Sequence, residues 1–155
     1  MRNVYRILAA LVAVGVVVQA MSIVYGVAGL EKWVEDGGVF DKAASEAEDL
    51  SFSGATGFLV HGINGTMIIP VIALLLLVCA FFAKVPGGVR WAAVVLLLVV
   101  LQVTLGLLGH EVPAIGALHG LNALLLLTAA AYASWRARPQ RVAVADTSDA
   151  VVSQA

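Results

Sequence analysis

Two histidines in matching sequence contexts are the residues of this chain best suited to chemistry. His61 lies in the segment VHGING (60–65), and His119 lies in the segment LHGLNA (118–123). Each histidine is followed by glycine, a branched aliphatic residue, asparagine and a small residue, in the same order. Both segments belong to long apolar runs, where ionisable side chains are costly and usually functional. The pair therefore predicts a functional site inside an apolar bundle.

Two imidazoles without further protein ligands suit a haem iron. A haem takes axial ligands on the two opposite faces of a flat macrocycle. Zinc or copper would need three or four ligands, and the apolar runs offer no carboxylate, second cysteine or closely spaced histidine. We therefore predict one b-type haem per chain, with His61 and His119 on the iron. Residues of little bulk stand one and four positions after each histidine, where the macrocycle needs room: Gly62, Gly65, Gly120 and Ala123.

A packing role for the same motifs is the alternative. Small residues permit close helix contact, and histidine and asparagine can hydrogen-bond across helices. Asn64 and Asn122 follow the histidines at i+3, so they could orient an imidazole, meet a haem edge or join two helices. Gln19 and Gln102 are expected to form interhelical hydrogen bonds. His110 is expected to be an interface residue at the end of the third apolar run.

Four long apolar runs predict the helices that position these histidines. The chain is 61% hydrophobic and 12% charged, far from the composition of a soluble domain. Each run is long enough to cross about 30 Å of hydrocarbon, and only helices satisfy their own backbone there. We predict an all-α, four-helix transmembrane bundle as one domain over residues 1–138, with spans at about 7–30, 58–83, 91–109 and 115–135.

Charge asymmetry predicts the orientation. Seven of the nine Lys and Arg residues flank one side of the four-span zigzag, and only Lys32 and Lys42 lie on the other. Positive flanks stay inside, so we predict a multi-pass protein of the cell inner membrane with both termini cytoplasmic. The alternative for the first run is a signal peptide cleaved after Ala20, but the apolar run continues well past that residue.

The segments outside the spans carry less information. The acidic outer loop, 31–55, has a loose apolar face and is expected to form a lid, with a solvated connector as the alternative. The tail, 139–155, is predicted to be disordered and cytoplasmic. A net charge of −1 and the lack of a basic cluster away from the spans argue against nucleic acid as a partner.

The chain is predicted to be a duplicated helical hairpin. The second and fourth spans share the histidine motif, and the first and third share a Gln seven residues before a Gly: Gln19 with Gly26, and Gln102 with Gly109. The second and fourth spans run in the same direction, with each histidine about one turn inside. A two-fold axis along the membrane normal would turn both histidines toward one another at the same depth.

The last two spans resemble a known family. Residues 101–127, LQVTLGLLGHEVPAIGALHGLNALLLL, resemble the pattern Gln-x-x-Leu-Gly … Leu-His-x-x-Asn-Ala-Leu-Leu of haem A synthase, and the first two spans resemble it weakly. That family has eight spans in two related four-helix halves. By position, His61 and His119 match the histidines of the second and fourth helices of one half. The chain also resembles small bacterial four-helix membrane proteins of unassigned function.

The chain departs from the family pattern at two places, and these departures narrow what the resemblance implies. Gly62 stands where the family usually has Arg, and the turn before His61 (57–60) has no glutamate for the proton chemistry of haem oxidation. The resemblance thus implies the cofactor-holding half, acting in electron transfer or haem handling, and not a complete haem A synthase. The alternatives are a cofactor-free membrane subunit or assembly protein, and a membrane oxidoreductase acting on quinone or haem. Membrane lipid is an expected partner, with a homodimer or a larger respiratory complex as further options.

Overall fold

The structure is a computed structural model that describes residues 1–46, 52–109 and 111–139. The described residues contain helices and no strand. Along the chain the elements are α1 (Arg2–Glu35), α2 (Lys42–Glu46), α3 (Ala55–Ile63), a π-helical turn (Asn64–Ile68), α4 (Ile69–Ala80), α5 (Gly88–Gly109) and α6 (Pro113–Arg136). The elements α3, π turn and α4 follow one another without a break, and together they form the second span.

Four helices are long and apolar enough to cross a membrane. They are Arg2–Glu35, Ala55–Ala80, Gly88–Gly109 and Pro113–Arg136. The prediction of an all-α four-helix bundle is confirmed, and the chain is a multi-pass membrane protein. The first helix is longer than the predicted first span, since it begins at Arg2 and continues through residues 31–35 of the predicted outer loop.

The outer loop is only partly described. Asp41 Oδ1 accepts a hydrogen bond from the Ala44 N–H at 2.9 Å, which stabilises the start of the short helix α2. The Phe52 ring stacks on Trp33 at 5.8 Å and meets the edge of Phe58 at 6.2 Å, so it joins the end of α1 to α3. Residues 47–51, His110 and residues 140–155 lie outside the described part of the chain. The lid prediction for 47–51 and the predictions for His110 and the tail therefore stay predictions.

The four spans form a ring in which each packs against two neighbours. The first span packs on the second and the fourth, and the third packs on the second and the fourth. The first and second spans make one hairpin, and the third and fourth make the other. His61 and His119 therefore stand on spans that are diagonal across the bundle.

The buried apolar core fills only the half of the bundle that carries the termini. It contains residues of α1 up to Val16 and of α5 up to Val99, and it begins at Ile69 in the second span and at Leu126 in α6. The core thus stops at the level of the two histidine motifs. At its far end, the Tyr5 hydroxyl donates to the Gly88 carbonyl at 3.0 Å and joins the two hairpins.

The pattern of buried core residues is the same in the two hairpins, except that it is shifted by one residue in part of the second span. The buried positions of α1 recur at identical spacing in α5: Tyr5, Ala9, Val12 and Val16 correspond to Gly88, Ala92, Val95 and Val99. After the histidines the correspondence shifts by one residue: Ile69, Ala73 and Leu76 each lie one position farther from His61 than Leu126, Ala130 and Ala133 lie from His119.

The π turn explains this shift. The Ile69 N–H donates to the Asn64 carbonyl, an i to i−5 bond that accommodates one extra residue in the turn. Pro70 follows directly; it has no N–H for the Thr66 carbonyl, and its ring would clash with that carbonyl in a regular α-helix. The irregularity that Pro70 predicts in this span takes the form of a π turn, next to His61.

Candidate functional site

The two predicted histidines face one another across the bundle. The centroids of the His61 and His119 rings lie 6.3 Å apart, and the ring planes make an angle of 56°. Both residues are partly buried. The diagonal position of their spans brings the rings together at the level where the apolar core ends.

This separation is the one that a shared metal requires. A metal–imidazole bond is about 2.0 Å long, and a ring nitrogen lies about 1.1 Å from its centroid, so two opposed imidazoles have centroids about 6 Å apart. The angle between the ring planes is unrestricted, because each imidazole can rotate about its own bond to the metal. The observed 6.3 Å is close to this value.

The His61 ring is oriented by the neighbouring helix of its own hairpin. Its Nδ1 lies 3.1 Å from the Gln19 carbonyl oxygen, which can only accept, so Nδ1 carries the proton. In this tautomer the lone pair is on Nε2, the arrangement in which a histidine binds metals with a backbone carbonyl behind its other nitrogen. Asn64 supports the arrangement, since its Nδ2 donates to the Gly15 carbonyl at 3.1 Å and to Gln19 Oε1 at 3.2 Å.

The second hairpin repeats the same contacts. His119 Nδ1 donates to the Gln102 carbonyl at 3.0 Å. Asn122 Nδ2 donates to the Leu98 carbonyl at 3.0 Å and to Gln102 Oε1 at 2.6 Å. Asn122 Oδ1 is buried and has no partner among the described residues. Each hairpin thus contains one Gln–His–Asn network, which confirms the duplication and the interhelical role predicted for both glutamines.

One contact is present in the second network and has no counterpart in the first. Gln102 Nε2 donates to His119 Nε2 at 3.1 Å, the atom that would bind a metal. Within the described residues no hydrogen bond reaches His61 Nε2. The Gln19 amide nitrogen instead lies against Gly65, in the space where a Cβ on that glycine would stand.

Close contacts hold each hairpin together at the end opposite the termini. A Cβ added to Gly57 would lie 2.7 Å from the Gly26 amide nitrogen, and a Cβ added to Gly109 would lie 3.0 Å from Gly116 Cα. Any larger residue at these two positions would push the helices of one hairpin apart. The Gln–His–Asn networks also join helices of one hairpin only, so this half of the bundle is tight within hairpins.

Between the hairpins, two cavities open on either side of the histidine pair. The α1/α6 cavity has a volume of about 400 Å³, and the α3/α5 cavity has a volume of about 540 Å³. Both reach His61, His119, Gln19 and Gln102, and most of their other lining residues are aliphatic residues or glycines. We call these two cavities together the slot; both lie between the hairpins and have both imidazoles in their walls.

The predicted small residues line this slot. Gly65 borders both cavities, Gly62 borders the α3/α5 cavity, and Gly120 and Ala123 border the α1/α6 cavity. A Cβ on Gly62 or Gly120 would meet nothing within 4 Å. The two asparagines do not line either cavity; both are buried behind the histidines.

Gln19 and Gln102 are the site residues that the sequence predictions missed. They were expected only to join helices, yet each also lines both cavities beside a histidine. The signal that could have identified them is their position in the repeat, seven residues before Gly26 and Gly109. Among the described residues, no group of three His, Cys, Asp or Glu side chains could hold a metal ion.

A comparison with known proteins finds a family match over part of the chain. Residues 51–107 match a family of unknown function, DUF6220. The matched segment includes His61, the π turn and Gln102, and it ends before His119. No curated protein and no solved structure matches the chain.

Proposed function

We propose that the protein is a small haem-binding membrane protein that holds one b-type haem between His61 and His119. Its role is electron transfer or haem handling, as the resemblance to the cofactor-holding half of haem A synthase suggests. The observation that carries the proposal is the 6.3 Å separation of two imidazoles whose Nδ1 atoms both donate to backbone carbonyls. That arrangement leaves both metal-binding Nε2 atoms to the slot, apart from the contact with Gln102.

The position and lining of the two cavities support the proposal. His61 and His119 would hold the haem from opposite hairpins, and the walls of the α1/α6 and α3/α5 cavities would surround it. Cavities of about 400 and 540 Å³ have the size of common cofactor sites, and apolar walls suit a largely apolar ring.

The surroundings favour redox cycling over catalysis. Two imidazoles would fill both axial positions of the iron, which leaves no open position for a substrate. Hydrogen bonds from both Nδ1 atoms to carbonyls raise the basicity of the imidazoles, and the low-dielectric walls tune the potential. Among the described residues, no carboxylate that could act as a general acid or base lines the two cavities.

The proposal includes an orientation in the inner membrane. Arg2 donates to the carbonyls of Ala137 and Arg138, and Arg136 donates to the Pro86 carbonyl, so basic side chains gather at the terminal end of the bundle. By the positive-inside rule this end is cytoplasmic, and the haem then lies toward the outer leaflet.

A cofactor-free packing role is favoured by one specific observation, the two Gln–His–Asn networks. They show that both histidines and both asparagines find hydrogen-bond partners on the neighbouring helix of their own hairpin. However, these bonds join helices inside each hairpin and leave the slot between the hairpins unexplained. The haem proposal explains both the slot and the facing of the two rings.

A visible spectrum of the purified protein tests the proposal. The protein is expressed with an ample haem supply, and a reduced-minus-oxidised spectrum is recorded together with the haem-to-protein ratio. We expect a low-spin b-type spectrum and a ratio near one haem per chain. A folded, haem-free protein under these conditions would refute the proposal and favour the packing role.

A further inference from the structure

The lone pairs on the two Nε2 atoms are not equivalent, although the networks around them repeat. His119 Nε2 accepts a hydrogen bond from the Gln102 side-chain amide at 3.1 Å. No described side chain donates to His61 Nε2, and the matching glutamine, Gln19, has its amide nitrogen beside Gly65 instead. One imidazole is thus capped, and the other faces the slot uncapped.

The two copies differ at the residue beside the Gln19 amide. The residue four positions after the histidine is Gly65 in the first copy and Ala123 in the second. The Gln19 amide nitrogen occupies the space that a Cβ on Gly65 would fill. The second copy has a Cβ at the corresponding sequence position, Ala123, and there the Gln102 amide nitrogen lies on His119.

The capping amide is also held in one orientation. Gln102 Oε1 accepts a hydrogen bond of 2.6 Å from Asn122, whereas the equivalent contact between Asn64 and Gln19 is 3.2 Å long. Because the amide oxygen is anchored by Asn122, its nitrogen is the end that meets the imidazole. An N–H group donating to Nε2 competes directly with any metal for the same lone pair.

We infer that Gln102 is a positioning residue that makes His119 the exchangeable axial ligand and His61 the firm one. That Gln102 caps His119 follows from the hydrogen bond alone. The consequence for the axial ligands rests on the proposed haem function. Binding of iron to His119 breaks the Gln102 bond, and binding to His61 breaks none. A small neutral ligand of ferrous iron, such as carbon monoxide, therefore displaces His119 and not His61.

The first test needs no haem. Diethyl pyrocarbonate acylates the free nitrogen lone pair of neutral histidine, and mass spectrometry reports each site in the haem-free protein. His61 and His119 are both partly exposed, so access is comparable. We expect His119 to react about fivefold more slowly than His61, the factor that one net hydrogen bond supplies. Equal rates, or a slower His61, would overturn the inference.

Two reciprocal substitutions identify the cause. Ala123→Gly removes the methyl group, so the Gln102 amide can move off His119, and we expect the His119 rate to rise toward that of His61. Gly65→Ala displaces the Gln19 amide, and we expect the His61 rate to fall. Thr104→Val is the matched control, because Thr104 is exposed and bonds only to the Val100 carbonyl of its own helix. Acylation rates that both substitutions leave unchanged would contradict the role of the two small residues.

The second test uses the haem-loaded, reduced protein and a carbon monoxide titration. Gln102→Leu removes the competitor for His119, which then binds the iron more firmly, so we expect carbon monoxide affinity to fall about fivefold. Ala123→Gly should shift the affinity in the same direction while keeping the glutamine. Affinity that is unchanged or higher in both variants would overturn the inference.

The two tests separate this inference from the proposed function. A protein that holds no haem refutes the function, and the acylation rates still decide whether Gln102 caps His119. A haem-loaded protein whose two histidines react equally when stripped of haem keeps the function and loses the role of Gln102.

Discussion

His61 and His119 lie with ring centroids 6.3 Å apart, although their spans are diagonal and pack on other neighbours. Each ring is fixed from behind by the backbone carbonyl of a glutamine in its own hairpin. The distance between the two rings therefore depends on how the two hairpins pack against each other, and they pack through the buried core at the terminal end.

The first prediction concerns the two histidines. Either His→Ala change should leave the iron with one axial ligand or empty the site, because no described side chain can replace the lost imidazole. We expect loss of the low-spin spectrum in both variants, with haem retained better in His119→Ala. Thr104→Val should keep the parental spectrum. Low-spin haem that survives both histidine changes would rule out these ligands.

The second prediction concerns the space in the slot. Gly65→Leu places a large side chain where Gly65 borders both cavities and where the Gln19 amide lies. Haem content should fall severalfold while the protein still inserts and purifies. Met67→Leu is the control two residues along, since Met67 is 63% exposed and lines neither cavity. Equal haem content in the two variants would contradict the slot.

The third prediction concerns topology. Ser45 and Lys84 are exposed and lie on opposite sides of the second span, so cysteines placed there should react with an impermeant maleimide from opposite sides. The Cys79→Ser background removes the native thiol, which is buried. In intact cells we expect labelling of Ser45→Cys and not of Lys84→Cys, which should label after permeabilisation. The reverse pattern would invert the orientation, and labelling of both from one side would contradict the four-span topology.

The fourth prediction concerns the contact that joins the hairpins at the terminal end. Tyr5→Phe removes the hydroxyl that donates to the buried Gly88 carbonyl. The free energy of unfolding should fall by about 0.6 kcal/mol, the average for such bonds in membrane proteins, as measured by denaturation in mixed detergent. Tyr25→Phe is the control, because Tyr25 is 54% exposed. A larger loss in the control would show that the Tyr5 hydroxyl contributes little.

Much of the architecture follows from the sequence because the membrane leaves few choices. Apolar runs of this length must be helices in lipid. The repeated motif predicts that His61 and His119 lie at equal depth. The helix ends were less predictable. Helix α1 continues to Glu35. The first glycine with a positive φ, Gly37 at 99°, follows where the helix has ended.

The haem assignment, the ligand residues and the orientation in the membrane remain predictions that the experiments above decide. The sequence by itself determined the helical class, the duplication and the pairing of the histidines, because composition, period and repeated motifs are local properties of the chain. Only the tertiary structure decided that the core stops at Val16 and Val99, that a slot separates the hairpins and that Gln102 caps His119. These features depend on which side chains come into contact between diagonal and neighbouring spans. A one-residue π turn or a single methyl group is enough to change those contacts.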